Sequence, residues 1–303
     1  MKIDAITLRE IQMPLVHFFE TSFGRIYSRR ILLLTVHANG VSGWAECVAA
    51  EDPYYSSEWI ETAWPTIKHH LAPAVLGRDL QSGAETVPLM AKVREHRMAK
   101  AAIENAVWDL EAQLKKQPLW KLLGGVLPEI QCGVSIGIQD SIEQLMGKVE
   151  AEVGAGYRRI KLKVKPGWDL DVLERVRARW PDILLSCDAN SAYTMDDVNH
   201  LQAFDQFKLL MIEQPLWGDD LYYHARLQKK LKTDICLDES IRSARDACAA
   251  VETGACRIIN IKVGRVGEGT IPISNDAGTG YSVREDLIEK LTVRKETLEA
   301  GQV

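Results

Sequence analysis

The chain of 303 residues has few of the features that would suit it to a membrane or an oxidising compartment. Its six cysteines contain no C-x-x-C pair, and several lie inside apolar runs, where a thiol behaves as a small hydrophobic group. No apolar run reaches the length that spans a bilayer, and the N-terminus lacks the apolar core of a signal peptide. We therefore predict reduced thiols, a cytoplasmic location and no membrane partner.

Neither sign of charge is in large excess. Lys and Arg number 37 against 42 for Asp and Glu, and no block of basic residues stands alone, which argues against a nucleic-acid partner. What is present is a hydrophobic content of 46%, enough for a large core. The length allows a barrel of roughly 250 residues together with a small companion domain.

Acidic residues recur at regular intervals in the second half of the chain. Asp188, Glu213 and Asp238 each end a short apolar run and follow one another at intervals of 25 residues, with Lys262 a further 24 residues on. A strand, a helix and two loops take about this much chain. A functional-looking residue at the end of each strand predicts a (β/α) barrel, whose active site lies at the C-terminal ends of its strands.

Counting barrel strands places two lysines opposite each other. With strand one over 130–138, Lys163 falls on strand two (158–164) and Lys262 on strand six (257–263). In an eight-stranded barrel these two strands face each other across the axis. We predict that Lys163 and Lys262 approach a central ligand from opposite sides, with the carboxylates along the arc between them.

Converging carboxylates predict a metal site. They repel one another unless a divalent cation neutralises them, and hard oxygen ligands suit Mg²⁺ or Mn²⁺. The bound ion would make the α-proton of a substrate carboxylate more acidic, because its charge stabilises the resulting enediolate. A lysine must be neutral to take that proton, and the neighbouring cation Lys161 favours the neutral form. Any one of these residues alone is more often a helix cap or a solvated charge, but their joint placement favours a site.

The first part of the chain predicts an α+β domain. Residues 1–48 alternate in the manner of antiparallel strands, and residues 57–124 carry helical periodicity, best over 99–116. Residues 16–30 between the first two strands are predicted to form a loop that includes Phe19 and Phe23. This loop is either a surface connection or a lid over a neighbouring pocket.

Several motifs together resemble the enolase superfamily, and within it the muconate lactonizing enzyme subgroup. The resemblance is to the branch of o-succinylbenzoate synthases and N-succinylamino acid (N-acylamino acid) racemases. It rests on residues 102–110, residues 118–125, Lys161-x-Lys163, Asp188-Ala189-Asn190, Glu213-Gln214-Pro215, Asp238-Glu239-Ser240, and Asn260-Ile261-Lys262 with Gly264-Arg265.

The resemblance implies a barrel of the modified TIM type with an α+β capping domain. It implies Mg²⁺ on Asp188, Glu213 and Asp238, and acid/base roles for Lys163 and Lys262, since a lysine base paired with Mg²⁺ is a known feature of this superfamily. It also implies that the 16–30 segment closes over the substrate. The expected substrate contacts are Ser135, Asn190, Phe19 and Phe23.

The C-terminal part departs from the pattern of the superfamily. Only 41 residues follow Lys262, too few for two further barrel units, and they predict a loop and a final helix over 284–299. We therefore expect strands seven and eight to be missing, with the junction near residues 266–268. The predicted domains are 1–125 (capping), 126–268 (partial barrel) and 269–303 (a segment returning to the capping domain).

Three functions remain open from the sequence. The leading one is an o-succinylbenzoate synthase, a lyase that dehydrates a cyclohexadiene carboxylate in menaquinone biosynthesis. The second is racemisation of N-succinyl or other N-acyl amino acids by the same two lysines. The third is a truncated remnant that acts as a binding or assembly module. The expected partners are a small-molecule carboxylate and further copies of the chain in a homo-oligomer.

Overall fold

The computed structural model describes residues 1–127, 129–262, 270–272 and 276–301, and it contains two compact units. The units divide the chain as follows: the first holds Met1–Val16, Tyr27–Pro128 and Pro272–Val303, and the second holds His17–Ile26 and Glu129–Ile271. Residues 17–26, expected in the capping domain, thus belong to the second unit.

The strands are numbered in chain order. They are β1 (Ala5–Thr21), β2 (Gly24–Ala38), β3 (Val41–Cys47), β4 (Glu129–Gln131), β5 (Gly133–Ile136), β6 (Arg159–Lys163), β7 (Leu184–Asp188), β8 (Ile212–Glu213), β9 (Ile235–Leu237), β10 (Ile258–Ile259), β11 (Thr270–Pro272) and β12 (Thr292–Glu299).

The helices follow the same order. They are α1 (Ile60–Thr66), α2 (Ala72–Val75), α3 (Thr86–Leu89), α4 (Arg97–Leu114), α5 (Leu119–Leu122), α6 (Ile142–Gly154), α7 (Leu170–Arg179), α8 (Val198–Gln202), α9 (Leu221–Gln228), α10 (Ala244–Thr253) and α11 (Glu285–Leu291). A π-helical turn covers Ile67–Leu71, and 3₁₀ turns cover Gly83–Glu85, Met195–Asp197 and Ala203–Phe207.

The first unit is built on an antiparallel sheet with the order β12-β1-β2-β3. Apolar residues at every second position, such as Leu32 and Leu34 of β2, are fully buried, as expected for strands with one face in a core. Helix α4 packs closely on β3, because Gly43 has no Cβ that would overlap the backbone of Ala106. The predicted α+β character of this part of the chain is confirmed.

The prediction of a loop over 16–30 is wrong. Strands β1 and β2 extend through this segment and meet at a two-residue turn, Ser22-Phe23. The aromatic residues that suggested an exposed loop have high strand propensity, and in a two-stranded ribbon they can lie on either face. We call residues 17–26 the hairpin tip.

The prediction of a final helix over 284–299 is also wrong in its second half. Helix α11 ends at Leu291, and β12 then pairs antiparallel with β1 from Thr292 opposite Ile11 to Glu299 opposite Ala5. The β-branched residues of this segment suit a strand, and the edge of β1 offers unpaired backbone groups.

The second unit is built on a parallel sheet with the order β10-β9-β8-β7-β6-β5 in the described residues. Most of its strands are short and rich in apolar residues, whereas β6 alternates apolar and basic residues. Helices α6 to α10 alternate with the strands along the chain. Fully buried residues such as Leu162, Leu185 and Leu237 form its core. The predicted strand 130–138 is divided, because β4 pairs with β11 in a separate two-stranded sheet and only β5 joins the parallel sheet.

The strand order matches the first six strands of a barrel. Strands β5 and β10 stand at the two edges of the parallel sheet in the part of the chain that the structure describes. Closure of the barrel and the loss of strands seven and eight stay predictions, and the junction expected near residues 266–268 lies outside the described residues. Within the described segments, no helix combines the length and the apolar character needed to cross a membrane.

Candidate active site

The strand register brings the acidic residues to one face of the parallel sheet. Lys163 lies opposite Asp188, and Asp188 lies opposite Glu213 on the next strand. Glu213 in turn lies opposite Cys236, and residues two positions apart along a strand share a face, so Asp238 points to the same side. The regular spacing in the sequence therefore corresponds to one row of side chains at the C-terminal ends of β6 to β9.

Two further residues join this row from the chain after β10. Asn260 donates from Nδ2 to Glu213 Oε1 at 3.0 Å. The Nζ atom of Lys262 lies 3.3 Å from Asp238 Oδ2. Both lysines that were predicted as acid/base residues thus lie beside a predicted metal ligand.

Two lysines of β6 pair with the carboxylates of Asp188 and Glu213. Lys163 Nζ lies 2.6 Å from Asp188 Oδ2, and both side chains are buried. Lys161 Nζ lies 2.7 Å from Glu213 Oε2 and 3.3 Å from Asp188 Oδ2. Charge-assisted hydrogen bonds of this length are strong in a buried setting.

The pKa values of Asp188 and Glu213 shift in opposite directions. Burial disfavours the ionised form of Asp188, but the ammonium groups of Lys163 and Lys161 outweigh burial and lower the pKa of Asp188 to about 2. Burial raises the pKa of Glu213, and the negative charge of Asp188 raises it further against the opposing effect of Lys161. Repulsion among the carboxylates is therefore only partly relieved by the lysines.

Glu239 is a fourth carboxyl group at this place, and the sequence prediction gave it no role. Its Oε1 accepts a hydrogen bond from Asn190 Nδ2 at 2.8 Å, whereas Oε2 is buried without a hydrogen-bond partner among the described residues. Burial raises its pKa to about 7, with further contributions from Asp238 and Asp188. The signals in the sequence were its position directly after a predicted ligand and its place in the Asp238-Glu239-Ser240 motif.

Asn190 was predicted to contact the substrate, and its side-chain oxygen faces a lysine. Asn190 Oδ1 accepts from Lys163 Nζ at 2.7 Å.

Ser135, also predicted as a substrate contact, lies on β5 opposite Lys161, and its buried Oγ has no hydrogen-bond partner within the described segments. A buried hydroxyl without a partner is costly, so a polar ligand group would stabilise Ser135. Substrate contact by either residue stays a prediction.

Gln214 is a second residue that sequence reasoning missed. Its Oε1 accepts from the backbone N–H of Asp238 at 3.0 Å, and its Nε2 donates to Ser240 Oγ at 2.8 Å. Its backbone is left-handed, with φ of 40°, which is uncommon for a residue other than glycine. Gln214 therefore holds the end of β9 in place next to the end of β8.

The hairpin tip groups with the second unit and packs on its strand ends. Ser22 Oγ donates to the carbonyl oxygen of Asn190 at 3.1 Å, and the carbonyl oxygen of Glu20 accepts from the backbone N–H of Ile138 at 3.0 Å. Lys165, in the loop after β6, pairs with Glu20 at 2.9 Å. This pairing was not predictable, because residues 17–26 are distant in sequence.

The two phenylalanines of the hairpin tip have different surroundings. The ring of Phe19 lies beside Gly137, where a Cβ atom would approach it to 3.2 Å. Phe23 stands in the turn and is 45% exposed. Contact of these side chains with a substrate stays a prediction.

The donor chemistry at the strand ends fits Mg²⁺. Asp188, Glu213 and Asp238 supply buried, hard oxygen atoms from successive strands. Burial and the negative charge of Asp188 raise the pKa of Glu213, and a bound cation would offset that negative charge. As the side chains stand, no three His, Cys, Asp or Glu residues in the described segments lie close enough together to enclose an ion. Metal binding by these three residues remains a prediction.

Comparisons with known proteins identify the family. Residues 144–284 match the family described as enolase C-terminal domain-like. Residues 3–124 match the N-terminal domain of the mandelate racemase and muconate lactonizing enzyme family. The chain belongs to the enolase superfamily.

Relatives in the predicted branch of the superfamily are similar over most of the chain. The o-succinylbenzoate synthase of Geobacillus kaustophilus is 51% identical over 268 residues, which cover 88% of this chain and 72% of that protein. The N-succinylamino acid racemase of an Amycolatopsis species is 47% identical over the same number of residues, 88% of this chain and 73% of that protein. These matches confirm the resemblance and support a lyase or racemase function.

Solved structures confirm the α/β fold. A superfamily member from Listeria innocua superposes with a TM-score of 0.93 at 30% sequence identity. The superposition covers 99% of this chain and 100% of that chain. The parallel sheet and the separate antiparallel sheet agree with the predicted fold class.

Proposed function

We propose that the chain is a Mg²⁺-dependent o-succinylbenzoate synthase. The observation that carries this proposal is the row of buried carboxylates on β7, β8 and the end of β9, with Lys163 on one side and Lys262 on the other. The 51% identity with a relative of that name supports the choice of reaction. The proposal includes a cytoplasmic location and a homo-oligomeric state.

Asp188, Glu213 and Asp238 would hold the ion. When bound, Mg²⁺ supplies positive charge that makes the α-proton of a carboxylate substrate more acidic. We assign Lys163 as the base that takes this proton, because two acceptors fix the position of its nitrogen beside the proposed metal ligand Asp188. Lys161, 2.7 Å from Glu213, adds positive charge on the same strand face, and Lys262 steadies the substrate from the other side.

The dehydration removes one molecule of water from the ring of a cyclohexadiene carboxylate. The α C–H bond breaks and its proton goes to Lys163 Nζ. The electron pair forms the new ring double bond while the C–O bond to the neighbouring hydroxyl group breaks. The departing hydroxide takes up the proton that Lys163 received, so that the products are the aromatic o-succinylbenzoate and water, and Lys163 returns to its neutral form.

Racemisation of N-succinyl or other N-acyl amino acids is the second candidate function. It begins with the same removal of an α-proton, and the 47% identity with an N-succinylamino acid racemase favours it. Here each lysine serves one face of the α-carbon: one removes the proton and the other returns a proton to the opposite face. Lys163 and Lys262 each lie beside a different carboxylate, which suits this symmetrical use.

The test is an assay of both reactions on one preparation over a range of Mg²⁺ concentrations. We expect dehydration at a higher kcat/KM than racemisation, and loss of both activities in Lys163→Ala. Lys229→Ala, which removes an exposed lysine of the same unit, is the matched control. Faster racemisation would favour the second function, and absence of both activities from a folded, Mg²⁺-saturated sample would favour a non-catalytic remnant.

A further inference from the structure

Asn190 is fixed in an unusual backbone conformation. Its φ of 43° is left-handed, a region that asparagine enters more readily than most residues. Its backbone N–H donates to Asp188 Oδ1 at 3.0 Å, and its carbonyl oxygen accepts from Ser22 Oγ at 3.1 Å. The backbone of Asn190 is therefore held both by the strand end and by the hairpin tip.

The side-chain amide of Asn190 has one defined orientation. The ammonium group of Lys163 can only donate, so it requires Oδ1, which lies 2.7 Å away. Glu239 Oε1 accepts from Nδ2 at 2.8 Å. Both partners thus select the same orientation of the amide, and a rotation by 180° would place Nδ2 against Lys163.

This orientation limits the positions open to Lys163. A lysine side chain is long and flexible, and its ammonium group has three donor positions. Two of them are used by Asp188 Oδ2 at 2.6 Å and by Asn190 Oδ1. Within the described residues one position remains for exchange with a substrate, so the two acceptors define where the reactive proton is taken up.

Lys262 has a different environment. Its Nζ lies 3.3 Å from Asp238 Oδ2, and its side chain is 29% exposed, compared with 2% for Lys163. The side-chain amide of Asn190 hydrogen-bonds to Lys163 and to Glu239, so the lysine that it holds in place is the one on β6.

We propose that Asn190 and Glu239 are positioning residues for Lys163, with Glu239 orienting the amide that holds the lysine. They therefore set the rate of proton transfer on one face of the substrate only. This inference rests on the proposed function, which assigns Lys163 and Lys262 to opposite faces. It differs from the prediction that Asn190 contacts the substrate, because such a contact would serve both enantiomers of a substrate alike.

The experiment measures exchange of the α-proton in D₂O at saturating Mg²⁺. N-succinyl-L-alanine and N-succinyl-D-alanine are followed separately by NMR, with Lys163→Ala and Lys262→Ala as references that assign one lysine to each enantiomer. The test variants are Asn190→Ala and Glu239→Met. Glu239→Gln is the matched control, since its side-chain oxygen can still accept from Asn190 Nδ2.

For the enantiomer that depends on Lys163, we expect Asn190→Ala to lower kcat by about 10²-fold with little change in KM, the size of loss that follows a misplaced catalytic group. Glu239→Met should lower the same kcat by roughly 10-fold, a smaller loss because Glu239 acts on Lys163 only by orienting the side-chain amide of Asn190. Glu239→Gln should stay close to the wild-type rate. Exchange of the other enantiomer should be nearly unchanged in all three variants. If the wild-type chain dehydrates but does not exchange, the same order of kcat values is expected in the dehydration.

Several results would overturn the inference. An equal rise in KM for both enantiomers would make Asn190 a substrate contact. An equal loss of kcat for both enantiomers, or a loss in Glu239→Gln as large as in Glu239→Met, would show a general structural or charge effect. Glu239→Met keeps the test decisive if Asn190→Ala does not fold. Exchange of both enantiomers in Lys163→Ala would instead refute the proposed function itself.

Discussion

Two clusters of lysine and carboxylate groups lie in the second unit, and they differ in burial. The strand-end cluster consists of Lys161, Lys163, Asp188, Glu213 and Asp238, and its carboxylates are almost fully buried. The tip cluster consists of Glu20, Arg25 and Lys165, and its two cations are 28% and 38% exposed. The tip cluster joins the hairpin tip to the loop after β6.

The two clusters also differ in how well their charges are balanced. In the tip cluster, burial opposes ionisation of Glu20, but Lys165 and Arg25 outweigh burial and lower its pKa. In the strand-end cluster, burial and Asp188 raise the pKa of Glu213 despite the nearby Lys161. Ion pairs alone therefore do not mark a functional site. Buried carboxylates whose repulsion remains only partly relieved are the better signal.

The largest expected effect comes from removing a charge from the strand-end cluster. Glu213→Gln should abolish turnover and weaken Mg²⁺ binding, because it deletes a buried anionic oxygen ligand while keeping the shape of the side chain. Isothermal titration with Mg²⁺ and the dehydration assay would measure the two effects. Glu20→Gln makes the same chemical change in the tip cluster and should leave Mg²⁺ affinity unaltered. Full activity in a chelator-treated, metal-free sample would refute the metal hypothesis.

The lysines provide the next largest effect. Lys163→Ala should stop α-proton exchange from one enantiomer of an N-succinyl amino acid in D₂O, and Lys262→Ala should stop exchange from the other. In the dehydration, Lys163→Ala should lose at least the 10²–10⁴-fold typical of removing a general base. Lys165→Ala, in the tip cluster, should keep exchange from both enantiomers. If Lys163→Ala and Lys262→Ala both still exchange both enantiomers, the assignment of the bases is wrong.

The contrast between the clusters also explains what the sequence could predict. The strand-end cluster lies on parallel strands whose repeat is nearly constant, so Asp188, Glu213 and Asp238 could be found by spacing. The tip cluster depends on a long-range pairing of Glu20 with Lys165, for which no repeat exists. The roles of Glu239 and Gln214 were missed for a similar reason, because the direction of a side-chain amide or carboxyl group depends on neighbours from other strands.

The two errors in secondary structure have a related cause. Residues 16–30 and 292–299 have weak local patterns, and apart from the turn at Ser22-Phe23 each adopts strand structure where another strand offers backbone partners. Tertiary pairing overrides weak propensity at such positions. The segment that begins at Thr292 pairs with β1, whose partner residues lie 281 to 294 positions earlier in the chain, and no local window of sequence contains that information.

A moderate effect is expected from the aromatic residues of the hairpin tip. Phe19→Ala and Phe23→Ala should mainly raise KM, since contacts made equally in the ground state and the transition state do not change kcat. Steady-state kinetics with the dehydration substrate would measure both parameters. Phe18→Ala, in which the removed ring lies 3.9 Å from the Arg25 guanidinium, is a control for disturbance of the tip itself. A loss confined to kcat would contradict this prediction.

The smallest effect is expected from neutralising the tip cluster. Its ion pairs are partly exposed, so Glu20→Gln should cost on the order of 0.5 kcal/mol of unfolding free energy. Because the pKa of Glu20 is lower in the folded state, its contribution is fully present above the pKa of the unfolded chain and is lost as the pH falls through the lowered value. Thermal melts of wild type and Glu20→Gln at several pH values would measure the difference.

The pH dependence separates the tip cluster from an ordinary change in packing. The difference in melting temperature between wild type and Glu20→Gln should shrink as the pH falls below the usual range of a glutamate, because protonated Glu20 no longer carries the charge that Lys165 and Arg25 stabilise. High salt should shrink the same difference at neutral pH, since partly exposed pairs are screened. A difference in melting temperature that stays constant across pH and salt would mean that Glu20 stabilises the hairpin tip through packing or neutral hydrogen bonds. The tip cluster would then not be held by electrostatic attraction, and comparing its charge balance with that of the strand-end cluster would be wrong.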